Sequence, residues 1–567
     1  MKFTSETGRS RGLSAGMETA GAGAVEGRFG RMFDLPSGAP LPLDCLRAIA
    51  QAMVKDDLGA PITESEPVDE NPAITAGYTY FGQFIDHDIT FDPTPLNAAT
   101  TDKTARLDFR SPALDLDSVY GRGPADQPYL YDYPFLRVGQ PLDSGSAPHG
   151  TRHDMFRVPG TAQGPLERPN IPLLGDKRND ENKIISQMHG VIITLHNRIA
   201  SAPDIIRANG GDPCDPDSVF DTAARLTRHH YQWVVVYDYL DRICEQGTVA
   251  EYLDPDSNAL RLPNYLKPDQ AFAYMPVEFA VAAFRFGHSM IRPSYALNRF
   301  TGTDASTKRI PLFSRQPSAQ NLNGFPGTVP DTWGIDWGYF LDGLAPVVPQ
   351  PTVDEPNPPK FQVPQPSYRI DALLAQPLAD LPEFRKTADM WVHHLAYRNL
   401  VRGQGLPSGE DVSKFLMNGT VTLAEDVIWA AGSTRLGSVP MPGDTPAEQA
   451  AAQNDMDQTT RARVAVWDAW AKGNGVLKGN TPLWYYILRE AEYYGVTRCQ
   501  QDPGIAFGGQ HLGPVGSKIV AETLIGLLAM DRGSFINQET PFKPCPEIMG
   551  GDTLTLTRLV AFATTPP

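Results

Sequence analysis

Apolar positions recur every three to four residues over Ile184 to Ile205, Asp221 to Glu245, Pro276 to Met290, Ala388 to Arg402 and Ser517 to Met530. That period places one apolar stripe on each segment and predicts helices that bury it. Strand-like alternation is sparse, so the pattern as a whole predicts a mainly α protein with little β. Proline breaks the pattern often: 52 residues cut the chain into modest helices joined by long loops. The densest run, residues 313–365, includes Pro349-Gln-Pro-Thr-Val-Asp-Glu-Pro-Asn-Pro-Pro359. It reads as an ordered loop or wrapping insertion that either edges a substrate channel or lies inert on the surface. Residues 1–35 carry the Gly-rich Ala20-Gly-Ala-Gly-Ala-Val25 and no apolar period, and they read as a mobile leader before a body spanning 36–567.

Composition adds bounds to this picture. With 567 residues, 41% hydrophobic and 20% charged, the chain can bury a large core. A net charge of −17 argues against a nucleic-acid or anionic-membrane partner. Five cysteines without close pairing suggest neither a zinc module nor a disulfide scaffold. No apolar run reaches the roughly 18 residues of a membrane span, and the N-terminus lacks the apolar core of a secretory signal. A cytoplasmic location is the default expectation, with unconventional export left open.

Four polar clusters interrupt the apolar segments. In Gly82-Gln-Phe-Ile-Asp-His-Asp-Ile-Thr90, His87 stands between Asp86 and Asp88, and Gln83 lies one turn upstream on the same helix face. A histidine there suits a proton relay, although a helix surface also carries Asp-His-Asp without function. Gly175-Asp-Lys-Arg-Asn-Asp-Glu-Asn182 places Arg178 and Glu181 three apart at a helix start. The guanidinium would stabilise charge developing on a peroxide or oxyanion, or the run is simply solvated. His189 and His196, further along that helix, read as core histidines.

Phe284-Arg-Phe-Gly-His288 ends an apolar helix, and glycine before histidine allows a flat ligand to approach, as a haem axial ligand requires. A core histidine is the alternative. An axial histidine needs a group behind its second ring nitrogen, and Asn399 is the candidate. In Ser111-Pro-Ala-Leu-Asp-Leu-Asp117 oxygen ligands fall at every second residue. An extended loop would align Ser111, Asp115 and Asp117 with the Ala113 carbonyl, and Asp88 would complete a calcium shell, unless the segment is a solvated acidic turn.

Taken together, and in this order, the four clusters resemble the animal-type haem peroxidases of the peroxidase–cyclooxygenase superfamily, especially bacterial versions, from about Gly77 to the Gly513–Glu522 region. The resemblance implies a single large helical domain. It implies His87 as distal base, Arg178 as its partner, Gln83 near the halide or water position, His288 as iron ligand and Asn399 behind it. Asp86 and Glu181 would ester-link to haem methyl groups, and Asp88, Ser111, Ala113, Asp115 and Asp117 would hold calcium. Asn182 replaces the methionine that forms a third haem link in chloride-using relatives. Bromide, iodide, thiocyanate or phenols are therefore the expected donors for hydrogen peroxide reduction. Related fatty-acid dioxygenases and cyclooxygenases carry a tyrosine three residues before the axial histidine, where this chain has Arg285. That enzyme class, and a haem-containing adhesion or binding protein without turnover, are the rival expectations.

Overall fold

The computed structural model describes residues 27–53, 70–91, 107–108, 110–160, 170–254, 257, 259–268, 270–301, 309–313, 320–324, 327–348, 363–381, 394–429, 463, 465–472, 475–495, 497–498 and 506–565. Helices dominate, and the strands are short ribbons of two to six residues. Those that frame the site are labelled here: α1 (Leu43–Ala52), α2 (Ala76–Ile89), α3 (Lys183–Ala200), α4 (Pro216–Val234), α5 (Val277–Val281), α6 (His394–Arg402), α7 (Leu483–Tyr494) and α8 (Pro514–Met530). Among the described residues no helix is long and apolar enough to cross a membrane.

Helix α3 follows the periodicity read from the sequence. Ile184, Ile185, Met188, Val191, Ile192, Leu195 and Ile199 are all buried, and α3 packs on α2 and α4. Its start is set by Asn182, whose side-chain oxygen accepts from the Ile184 and Ile185 amides at 3.0 and 2.9 Å. Proline ends the stripe early: the chain leaves α3 at Ala200, and a separate helix begins at Pro203. The segment predicted as one helix over 221–245 is α4 followed by a π-helical turn, Val235–Tyr239, and a last helical turn, Leu240–Ile243. The wider turn rotates Tyr239 onto the wall of the central cavity.

Helix α2 is buried almost all round, and only Gln83 among its residues is not buried. Close neighbours exclude side chains at two positions. A Cβ on Gly77 would stand 2.7 Å from the Phe340 carbonyl, and one on Gly82 would stand 2.3 Å from the Tyr239 hydroxyl. Gly77 N instead donates to Phe340 O at 2.8 Å, which ties α2 to the loop after residue 313. Described parts of the 313–365 insertion wrap the core through buried Trp333, Trp337 and Tyr339. None of its residues lines the central cavity, so the channel-edge expectation fails for its described part. Residues 349–362, with the proline run, lie outside the described residues.

The expected leader is corrected at its C-terminal end. Residues 1–26 lie outside the described residues, but Gly27–Gly30 forms strand β1. It pairs in parallel with β4 (Met275–Pro276) and antiparallel with β3 (Leu107–Asp108); β2 (Glu70–Thr75) pairs instead with β5 (Pro366–Tyr368). Phe29, Met32 and Phe33 are buried, so apolar side chains that show no period in sequence are held by pairing and packing. The helix expected over 276–290 is α5, broken at Ala282, followed by a 3₁₀ turn over Ala283–His288. Arg285 Nε takes the Ala280 carbonyl at 2.8 Å, satisfying an oxygen at the break. Of the predicted helix over 388–402, residues 388–393 lie outside the described residues. The last stripe forms α8, starting at Pro514 with its first amides on the buried Glu490.

Cys45, Cys244 and Cys545 are buried free thiols and Cys214 is an exposed one; Cys499 lies outside the described residues.

Candidate active site

A cavity of about 250 Å3 opens between α2 and the 3₁₀ turn after α5. Its lining includes Gln83, Asp86 and His87 from α2 with Arg178 and Glu181 from the turn before α3. Phe284, Gly287, His288 and Asn399 line it too, as do Arg398 and Arg402 of α6. Residues from three separate sequence clusters therefore face one cavity. Burial decides against the helix-surface alternative for the first cluster, since Asp86, His87 and Asp88 are all buried. Buried ionisable groups persist only when paired or bound.

Asp86 is paired on both oxygens. Arg285 Nη1 lies 3.0 Å from Oδ2, and Thr90 Oγ1 donates to Oδ1 at 3.0 Å. Burial pushes its pKa up, but Arg285, Arg178 and His87 outweigh it and hold the carboxyl below its usual range. Glu181 behaves alike: burial raises, while His87, Arg178 and Arg398 lower more strongly. Its side chain is 37% exposed, into the cavity it lines, and its Oε1 accepts from Gln83 Nε2. The same Oε1 stands 3.6 Å from His87 Nε2. Asn182 Nδ2 donates to Gln83 Oε1 at 3.3 Å, so the amide at this position braces Gln83.

Arg178 is not a free cation at a helix start. Its Nε and Nη2 bind Asp176, and Nη2 also donates to the His87 carbonyl at 3.0 Å and to the Thr90 carbonyl. It thereby caps the C-terminal end of α2, whose carbonyls favour a cation. The side chain also lines the cavity. Asp176 is the anchor: burial raises its pKa, but Arg178 and Arg110 lower it further.

In the same cavity, Asn399 Nδ2 and His288 Nδ1 are 3.1 Å apart, which joins two residues separated by 111 positions. A half-turn of the amide presents its oxygen to a protonated Nδ1 and leaves Nε2 as a lone pair, the state an iron ligand needs. A Cβ built on Gly287 meets nothing within 4 Å, so open space lies over the residue before His288. A flat ligand held by a histidine fits this donor set.

The acidic loop is not extended. It bends over 112–115 and turns through Leu116 in the left-handed region at φ 61°, a conformation that costs about 1–2 kcal/mol for a non-glycine residue. This turn, rather than strand alternation, brings single carboxylate oxygens of Asp88, Asp115 and Asp117 within 4.8 Å of one another. Ser111 Oγ donates to Asp115 Oδ2 at 2.9 Å, and Ala113 is buried beside it. Burial and the Asp117 charge push Asp88 up to about 7, and burial with Asp117 and Asp88 also raises Asp115 well above its usual range. Arg110 binds Asp117 at 3.1 Å and Asp176 at 2.9 Å, linking this cluster to the Arg178 anchor. Hard oxygen donors short of positive charge suit calcium.

The motif for animal haem peroxidase matches residues 97–327, which include the acidic loop, Arg178, Glu181 and His288. Human thyroid peroxidase is 27% identical over 214 residues, 35% of this chain and 21% of that protein. Residues 97–327 thus resemble the animal haem peroxidases. Peroxidase A from Dictyostelium discoideum shares the fold, with a TM-score of 0.52 and 14% identity over 100% of this chain and 98% of that one. A fatty acid alpha-dioxygenase from Arabidopsis thaliana aligns at a TM-score of 0.49 and 12% identity over 95% of this chain and 76% of that one. None of these likenesses bears on a bacterial branch, and the chain spans about a fifth of human thyroid peroxidase.

Around this cavity, four contributors escaped the sequence reading. Phe29 reaches the cavity only through strand pairing, and Tyr239 only through the π turn. Asp176 stood two residues before Arg178, a spacing that could have marked it as an anchor. Asn179, inside the same motif, binds His87, and His189, expected as a core histidine, is buried but bonded to Asn179.

Proposed function

We propose that this protein is a haem-dependent peroxidase that reduces hydrogen peroxide and oxidises small anions, such as bromide, iodide or thiocyanate, or phenolic donors. The observation that carries the reading is the convergence of His87, Arg178 and His288 on one cavity. Haem, when bound, supplies the redox chemistry. His288, backed by Asn399, would hold its iron, and the open space beside Gly287 would admit the ring. His87 Nε2 takes the proton of an incoming peroxide and returns it to the leaving oxygen. Arg178, fixed by Asp176 and the end of α2, stabilises the negative charge that develops between those two transfers. Gln83 orders a water or small anion beside the imidazole.

Steady-state oxidation of bromide, iodide, thiocyanate and a phenol, each with and without hydrogen peroxide, tests the reading. Peroxide-dependent turnover of at least one donor is expected. Fatty-acid oxygenation that persists after peroxide is removed would favour the dioxygenase reading instead. Against that rival, position 285 holds an arginine engaged with Asp86 in place of a tyrosine.

Asp86 and Glu181 both line the cavity, which supports ester attachment of haem through these two carboxylates. Denaturing acid extraction should then leave haem on the wild-type chain and release it from an Asp86→Ala/Glu181→Ala variant. Complete release from mature wild-type protein would reject the attachment.

Calcium bound by Asp88, Asp115 and Asp117, with Ser111 and the Ala113 carbonyl, would neutralise buried carboxylates next to His87. Chelation should lower the melting temperature by several degrees, and calcium at about a hundred times its Kd should restore about 2.7 kcal/mol. Differential scanning calorimetry of wild type and Asp115→Ala measures this; identical curves with calcium and with chelator would sink the site.

A further inference from the structure

His87 can act as base at Nε2 only if its single neutral-state proton sits on Nδ1. In a neutral imidazole the hydrogen-bond partner of one nitrogen decides where the proton lies. His87 Nδ1 is 2.8 Å from Asn179 Oδ1, and an amide oxygen accepts but cannot donate. The other end of the same amide, Nδ2, is 2.9 Å from His189 Nδ1. All three side chains are buried, with Asn179 at 0%, His189 at 1% and His87 at 4% exposure.

We infer that Asn179, oriented by His189, is a positioning residue that holds His87 in the Nδ1–H form with its Nε2 lone pair facing the cavity. The inference rests on the peroxidase reading for its purpose, but not for its geometry. A second arrangement is chemically open. With the amide reversed, Nδ2 would donate to His87, whose proton would move to Nε2, and His189 Nδ1 would have to donate to the amide oxygen. His87 would then point an N–H towards Glu181 Oε1 and offer no base. His189 opposes that reversal as long as its Nδ1 stays an acceptor. Burial, partly offset by Asp176, pulls its pKa down to about 4, which disfavours the doubly protonated ring that could only donate to the amide. The edge of its ring packs against Phe84 with centroids 6.2 Å apart.

The platform beneath Asn179 is rigid. Asp176 caps the turn by accepting from Arg178 N at 2.8 Å, and Asn179 N donates to Asp176 O at 3.0 Å. On the far side Arg157 grips both oxygens of Asp180, at 2.7 and 2.8 Å. The turn that delivers Arg178 to the cavity thus also delivers Asn179 to the back of His87, one residue later.

Ring-¹⁵N-labelled histidine, incorporated into the full chain loaded with haem and reduced under carbon monoxide, gives the test. Wild-type His87 is expected to show a pyrrole-type Nδ1 and a pyridine-type Nε2. Asn179→Leu should move the His87 signals towards Nε2–H and slow the reaction with peroxide about 10- to 100-fold at unchanged haem occupancy. Asn179→Asp keeps an acceptor oxygen and should keep the wild-type signature. His189→Leu frees the amide and should shift the signals in the same direction as Asn179→Leu; it also serves if that variant does not fold. An Nε2–H signal in the wild type, or wild-type signals in both leucine variants, would overturn the inference. A wild type without a Soret band would defeat the peroxidase reading separately, and the His87 form would then be read in the haem-free protein.

Discussion

His288→Ala is expected to yield a folded protein with no stable Soret band, even after haem supplementation. His288 lines the cavity, and Asn399 is bonded to one of its ring nitrogens, which leaves the other for iron. Folding should survive because the turn that carries residue 288 is held by other contacts. Ser289 N donates to the Phe286 carbonyl, Arg285 reaches Ala280 and Asp86, and Phe284 stacks on Phe279 with centroids 4.6 Å apart. Absorption and circular dichroism together check the expectation: loss of the Soret band with unchanged helical signal. Normal haem occupancy in this variant would contradict the assignment of His288.

His87→Ala should have the second largest effect, and of the opposite kind. Haem occupancy should persist, while the rate of reaction with peroxide should fall about 10²- to 10⁴-fold, the range associated with a positioned acid–base group. The loss should be confined to the chemistry, because α2 keeps its anchors: the Phe340 carbonyl on Gly77, Asp238 on Tyr78 at 2.7 Å, and Arg178 on its final carbonyls. Stopped-flow mixing with hydrogen peroxide measures it. A variant that reacts at the wild-type rate would remove His87 from the mechanism.

Much of the site was legible because side-chain chemistry and spacing survive in one dimension. His87 with Gln83 four residues before it, and Arg178 with Glu181 three residues later, needed only helical or near-helical geometry to converge. The pairing of Asn399 with His288 followed from asking what an axial histidine requires. Helix positions were legible wherever an apolar stripe faced a core, as in α3. What escaped depended on partners distant in sequence or on departures from regular geometry. Strand β1 has no pattern of its own and is ordered by Met275 and Leu107. The break at Ala282 and the π turn before Leu240 interrupt runs whose periodicity looks continuous. The acidic loop reached its expected cluster by another route, a left-handed turn at Leu116 in place of an extended strand. Asn179 was hidden because an asparagine among charges carries no signal of which histidine will lie behind it.

The central claim is that this one cavity binds haem through His288 and delivers peroxide to His87. It is tested most directly by the absorption spectrum of the purified protein before and after one equivalent of hydrogen peroxide. A Soret band that shifts on addition and returns with bromide, iodide or a phenol is the predicted result. A Soret band that peroxide leaves unmoved, or no haem band after supplementation, would contradict it.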